Sequence, residues 1–475
     1  MTKKIIYLFA LIGIMAFSSC EKFLDVKPIN EKPFEISLNN QDAVYAVLMS
    51  AYDQIQGGNF YGGNLQKVGE LYGDNLDFDF VQGRNLDFEL RNFDLFFNPA
   101  SGTWDNAYRA IGRSNLVIKS IDENYFEAEQ ITKDQLRGEA LFIRAIAHFE
   151  VCRIFSLPYS FNPDLPGIII RNRFLSTDET QNYVPWSSIR ETYAQSISDL
   201  ELAITLLPAD VNAQKFGGNT HRGRASQLAA KAFLARIYFD MNDFVKAEQY
   251  ANDVISNGGL SMASGSDAPL APFYNEGQTV PKGGVVWQIV NKQGDDGSGT
   301  IRSLFWNAFP AFVQLSLDKT GPNSIYETLK TQGGARFDSL VADNATRPMS
   351  RKFRGADPEG FQPTINIPIL RLAEMHLVRA ECKAQRSASD AEVRADINAI
   401  RAVNALPADN TTAGKDNLLA KIRQERRMEL VVENDRWHEL RRLKLPCRGF
   451  AYDSKLLILT PTSESNGNTD LKVKY

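Results

Sequence analysis

Four histidines, His148, His221, His376 and His438, stand far apart in the sequence. None forms the i, i+4 pair of a zinc-binding helix or a Cys/His metal spacing. Residues 294–299, GDDGSG, lack both the lysine and the strand-to-helix setting of a phosphate loop. Asp295 and Asp296 within it read as a solvated turn rather than a calcium site. No Gly-x-Ser-x-Gly elbow occurs. Neither a metal, nor a cofactor, nor a catalytic group is therefore expected. The carboxylates need separate treatment, because glycosidases work with two of them. Glu425, Glu429 and Glu433 lie four apart, among Arg423, Arg426 and Arg427. That spacing puts them on one helix face. Catalytic carboxylates usually come from separate elements that face a cleft. An alternating acid–base stripe on one helix is instead expected to be a solvated, structural ion-pair lattice. Glu433 and Arg436 straddle a turn and are expected to lock the last two helices together.

The residue types suited to ligand binding are aromatics set among amides and charges. A sugar ring packs its C–H face on a flat aromatic ring while polar neighbours hydrogen-bond its hydroxyls. Two segments have this make-up. Residues 76–99, LDFDFVQGRNLDFELRNFDLFFNP, interleave Phe with Asp, Asn and Arg. Their period-two start also fits a plain edge strand with a buried Phe face. Residues 303–312, SLFWNAFPAF, follow a Gly-rich turn and show no clean period. That pattern favours an exposed loop, with core packing as the other reading. The candidate ligand residues are Trp306 as a stacking platform, Phe305, Phe309 and Phe80 as further aromatic contacts, and Asn307, Arg84 and Asn98 as hydrogen-bond donors. Trp104, Trp186 and Trp287 are expected to be structural.

The first twenty residues set the compartment. Lys3 and Lys4 precede an apolar run at 5–17, followed by Ser18, Ser19 and Cys20. This is the layout of a secretory signal, and the run is too short to span a bilayer. Small residues directly before a cysteine resemble a lipobox, in which Cys20 is acylated and becomes the first mature residue. Such a lipid holds a protein on a membrane without crossing it. The 475-residue chain carries a formal net charge of −4, and loss of 1–19 removes two lysines and no acids. An acidic balance argues against a nucleic-acid partner. Beyond Cys20 only Cys152, Cys382 and Cys447 remain, too few for a disulfide framework.

The elements that must position these residues read as helices. Apolar residues recur at steps of three and four in 40–55, 104–118, 136–154 and 186–207. Residues 225–239 and 243–256 form a helix pair, 368–383 and 388–403 a second, and 417–432 with 435–443 close the helical part. The stretch 57–99 reads as irregular. Residues 284–290 and 456–459 read as strands. In the first pair, Leu234, Ala235, Tyr238 and Ala247 fall at the spacing of a tetratricopeptide repeat. Small residues there let two helices approach, and Tyr238 fills the groove between them.

Six blocks, in order over nearly the whole mature chain, resemble the SusD/RagB family of outer-membrane nutrient-binding lipoproteins. They are CEKFLDVKP after the lipobox, WDNAYRAIGRSN at 104–115, LRGEALFIRAIAHFEVCRIF at 136–155, the repeat at 225–258, ILRLAEMHLVRAE with INAIR at 369–401, and IRQERRMELVVENDRWHELRR at 422–442. Asn434 and Asp435 depart from the family by replacing its usual Gly, and the tail at 456–475 matches only loosely. The resemblance implies a mainly α fold: tetratricopeptide helix pairs in a right-handed scaffold, a loop-rich lobe and a few short strands. It implies one domain over 20–475, with repeat helices at about 40–56, 104–155, 186–258 and 368–443. The ligand lobe would occupy about 57–103 and 259–367. It further implies a non-enzymatic protein, lipid-anchored in the outer membrane and facing the exterior. The expected partners are a SusC-like TonB-dependent channel and an oligosaccharide or peptide ligand. Two rival readings stand beside it. One is a tetratricopeptide scaffold that binds other proteins in its groove; the other is a surface glycoside hydrolase with an acid pair across a cleft.

Overall fold

The computed structural model describes residues 37–78, 101–176, 184–209, 220–446 and 460–461. Within 220–446 it leaves out 266–267, 275–279, 293, 296, 298, 307–312, 314, 322, 344–346, 355–363 and 412–413. Among the described residues the chain is mostly helical. Helix α1 spans Gln41–Gln56, α2 Asn64–Leu71, α3 Ser101–Asp122, α4 Gln130–Phe155 and α5 Ile189–Leu206. Then follow α6, Gln227–Asp240, and α7, Phe244–Asn257. In the C-terminal part lie α11, Leu372–Gln385, α12, Asp390–Val403, α13, Gly414–Glu429, and α14, Arg436–Arg442. Between the two parts are the short helices α8, Gly299–Phe305, α9, Ile325–Gln332, and α10, Ala335–Leu340.

The long helices stack in near-sequential order. Helix α1 packs on α3, α3 on α4, α4 on α5, α5 on α6, α6 on α7, α7 on α11, and α11 on α12 and α13. Sequence explains where several of them begin. Asn40, Ser226, Asp243 and Ser324 each accept a first-turn backbone N–H, and Ser188 with Glu191 and Ser389 with Glu392 make reciprocal capping boxes. A side-chain oxygen there satisfies a donor that the helix leaves unpaired. Between α6 and α7 the facing residues are small: Ala229, Ala232, Ala235, Ala247 and Ala251 are all fully buried. Tyr238 stacks on Tyr250, ring centroids 5.7 Å apart and nearly parallel. That matches the repeat spacing read from the sequence. Cys152 and Cys382 are buried within helices, as small core residues should be. No helix among the described residues is long and apolar enough to cross a membrane.

Three two-stranded antiparallel sheets complete the described structure. Strand β1, Leu76–Phe78, pairs with β3, Leu315–Leu317; β2, Val285–Ile289, pairs with β6, Ile367–Arg371; β4, Val341–Ala342, pairs with β5, Met349–Ser350. The first two pairings join segments far apart in the chain, at least 78 residues. Trp287 of β2 is fully buried and meets Tyr61, Phe142 and Phe233 edge-on, centroids 5.3–5.8 Å apart. It ties the β2–β6 sheet to the helical stack. Trp104 and Trp186 also pack together, 6.2 Å apart; all three tryptophans are structural.

Three expectations need correction. The stretch 57–99 is not wholly irregular, since α2 lies in it, with Leu65, Val68 and Leu71 buried. The predicted helix at 368–383 begins as strand β6, because β2 offers it a pairing edge, and turns helical only at Leu372. The aromatic segment from 303 is not an open loop at its start, because Ser303, Leu304 and Phe305 form the last turn of α8. The predicted strand at 456–459 and the C-terminal tail lie outside the described residues.

Candidate functional site

Helix α8 ends at Phe305, and the chain then presents Trp306, whose backbone N–H donates to the Arg302 carbonyl at 2.8 Å. The two neighbours part company here. Phe305 is fully buried, with its ring 5.9 Å from Phe353, which in turn meets Phe273 at 5.8 Å. A ring enclosed on all sides offers no face to a ligand, so Phe305 is core and not a contact residue. Trp306 stays half-buried, with the Arg354 guanidinium carbon 5.3 Å from its ring centroid, a cation–π arrangement. Its indole Nε1 is enclosed and has no hydrogen-bond acceptor among the described residues. Phe309, Asn307, Phe80, Arg84 and Asn98 lie outside the described residues.

Arg354 also lines an open cleft of about 580 Å³, together with Tyr274, Lys282, Asp338, Ser339 and Arg351. Ala268, Leu270 and Ala271 give it an apolar side beside these polar residues. The Arg351 Nη1 donates to the Asp338 carbonyl at 2.8 Å, while the Nε atoms of Arg351 and Arg354 are enclosed without acceptors. The segment 351–354 is held from behind. Lys352 points the other way, fully buried, and donates to the carbonyls of Glu429 and Val431 and to the Glu433 carboxylate. An aromatic beside donors still lacking acceptors, in a cleft of ligand size, suits a polar ligand with a flat face. Sequence reading found Trp306 but missed Tyr274, Asp338, Arg351 and Arg354. The only signal was the basic run RKFR at 351–354 in an acidic chain.

The second constellation, Glu425, Glu429 and Glu433, does share one face, but that face is buried rather than solvated. Glu425 is 4% and Glu429 7% exposed. Glu429 accepts from Arg371 at 2.9 Å and from Arg336 at 3.0 Å. Glu425 accepts from Arg401 at 2.9 Å and also lies 2.8 Å from Arg336 as an ion pair. Glu433 accepts from Lys352 at 2.5 Å and from Arg371 at 2.6 and 2.8 Å. Glu433 and Arg436 therefore do not pair with one another. Arg436 turns instead to Asp74, ahead of β1, at 2.5 and 2.9 Å. Burial alone would raise the Glu429 pKa. The cations Arg371, Arg336 and Lys352 outweigh it and hold the carboxyl at about 2. Such a group stays ionised and committed to its partners. Glu70, on α2, is the contrary case: burial raises it to about 7, with Asn75 its hydrogen-bond donor. It is fully enclosed. These carboxylates tie β1, β6 and the 350s to the end of α13.

The chain was compared with known proteins. Residues 22–239 match a family model described as starch-binding and associating with the outer membrane, and residues 233–457 match the SusD family model. SusD-like protein P2 of Formosa agariphila is 24% identical over 93% of this chain and 90% of its own length. A SusD-like protein of Bacteroides ovatus is 24% identical over 72% of this chain and 65% of its own length. Among solved structures, a SusD superfamily protein from Bacteroides vulgatus superposes with a TM-score of 0.79 at 21% identity, covering 91% of this chain and 98% of that one. A laminarin-binding SusD-like protein superposes with a TM-score of 0.72 at 18% identity, covering 90% and 98%. At these identities the structural likeness establishes the fold alone.

Proposed function

The chain belongs to the SusD/RagB family, and on that premise we propose that it is a surface lipoprotein that captures nutrient oligosaccharides, with peptides as the alternative ligand class. Cys20 carries the lipid that holds a single SusD-like domain, 20–475, on the outer membrane with its ligand lobe outward. The stacked helices dock on a TonB-dependent channel, and the ligand passes from the lobe to that channel. The observation that carries the capture step is Arg354, which lines the 580 Å³ cleft and lies over the Trp306 ring. Buried aromatic anchors flanked by polar groups dominate most recognition surfaces. Glu425, Glu429 and Glu433 lie in ion pairs with Arg336, Arg371, Arg401 and Lys352, which suits a structural rather than a catalytic role and supports binding over hydrolysis.

Fractionation and mild-detergent purification of the tagged chain from its own cells test this proposal. The parent chain is expected in the outer-membrane fraction with a channel protein bound, over an interface of the size of a stable complex. The Cys20→Ala variant is expected in the soluble fraction. If Cys20→Ala still partitions with the membrane, lipidation is not the anchor. Recovery of the parent chain alone, from preparations that keep other membrane complexes intact, would count against channel delivery.

A further inference from the structure

We propose that the cleft takes an acidic saccharide, one carrying carboxylate or sulfate groups; this rests on the capture reading above. Among the described residues, three cations, Lys282, Arg351 and Arg354, line the cleft against one carboxylate, Asp338, although the chain as a whole is acidic. The two arginines differ from most buried arginines among the described residues, though Arg441 likewise lies over a tryptophan ring and donates to main-chain carbonyls. Arg144, Arg224, Arg336, Arg371, Arg426 and Arg442 each face a carboxylate at ion-pair distance. Among the described residues neither Arg351 nor Arg354 does. Arg351 gives one Nη to a main-chain carbonyl, and Arg354 lies over the Trp306 ring. The Nε–H of each is enclosed and lacks an acceptor.

A half-buried guanidinium with an enclosed, unmet donor is not a solvated surface charge. Its planar fork matches a carboxylate or sulfate oxygen pair, and such charge-assisted bonds are the strong ones. Stacking on Trp306 fixes the plane of the Arg354 fork, so that less freedom is lost when an anion docks. Trp306 Nε1, also without an acceptor, adds a neutral donor beside it. The hydroxyl of Ser339 and the exposed carboxylate of Asp338, which also line the cleft, suit the hydroxyls of the same ring. A neutral sugar would leave the two guanidinium donors without a charged partner; an acidic one fills them.

Calorimetry of the mature chain with length-matched oligosaccharides tests this. The probes are neutral β-glucan, oligogalacturonate for carboxylate and carrageenan oligosaccharide for sulfate. The acidic class is expected to bind roughly tenfold tighter than the neutral one, as for a gained charged hydrogen-bond pair. That preference should shrink as salt rises. Arg351→Gln/Arg354→Gln should erase the preference by lowering affinity for the acidic class about tenfold, with a melting curve as the check on folding. Which of the two acidic probes gains identifies the anionic group. Equal binding of neutral and acidic probes, a salt-independent preference in the parent chain, or an acidic peptide outcompeting every saccharide would overturn the proposal while leaving capture itself standing. Absence of binding to any saccharide or peptide would remove the capture reading as well.

Discussion

At the scale of single residues, the buried acids behave differently from the acids of an exposed helix. Glu429 is met by Arg336 and Arg371, themselves almost fully buried. Removing it leaves Arg336 with Glu425 alone and Arg371 with Glu433 alone, and enclosed donors left unmet cost about 1–3 kcal/mol. Glu429→Ala is therefore expected to melt below the parent chain, beyond the ~0–1 kcal/mol of a surface pair. The pH dependence follows from its depressed folded pKa, about 2 against an ordinary 4.5. The stabilisation is fully present above about 4.5 and is lost as pH falls through 2. The melting gap between parent and Glu429→Ala should then narrow on acidification. A gap that is small at neutral pH, or constant down to strong acid, would show that the lattice does not hold this part of the fold. The spacing of Glu425, Glu429 and Glu433 was legible in the sequence, but their burial was not. Their partners Arg336, Lys352 and Arg371 come from elements 50 to 90 residues away, and no local pattern announces such pairings.

At the scale of elements, the helix pairs were the most legible part, because small residues at fixed steps leave few ways to pack. The α6–α7 pair follows its alanines, and the caps at Ser188, Ser226 and Ser389 mark helix starts. The turn between α13 and α14 was only partly legible. The family's usual Gly is replaced there by Asn434, and Asn434 adopts a left-handed backbone with φ 64°. Asn tolerates that region better than other non-glycine residues do. Its neighbour across the contact makes the compensating choice: a Cβ on Gly69 of α2 would collide with Asn434. Gly69→Ala is accordingly expected to lower the melting temperature by several degrees, whereas Asn434→Gly should be tolerated. In the combined variant, Gly69→Ala with Asn434→Gly, part of the loss should return. Independent, additive effects in that double mutant would mean the two positions do not share a contact. Short elements of the lobe, α8 and α9 among them, escaped sequence reading because each is about two turns or less and gains its stability from packing rather than from its own period.

At the scale of the whole molecule, six sequence blocks fall on the described structure from α3 to α14, except for the first, which precedes residue 37. These blocks build the stack and the lattice, where long-range packing restricts residue choice. The ligand lobe is another matter. Its residues serve an individual ligand, so composition hinted at Trp306 while the chain's own fold decided its neighbours, burying Phe305 and bringing in Tyr274, Arg351 and Arg354. The proposed delivery to a channel would add a demand at this scale: the ligand would have to be held firmly enough for capture and loosely enough for release, which an open cleft can do. The most direct test of the account is calorimetry of Trp306→Ala against the saccharide that the parent chain binds best, alongside a melting curve. The account predicts a loss of about 2 kcal/mol or more in binding, the cost of truncating an anchor, with a fold that still melts cooperatively near the parent temperature. A variant that binds as the parent does, or one that no longer folds, would contradict it and place Trp306 in the core rather than in the site.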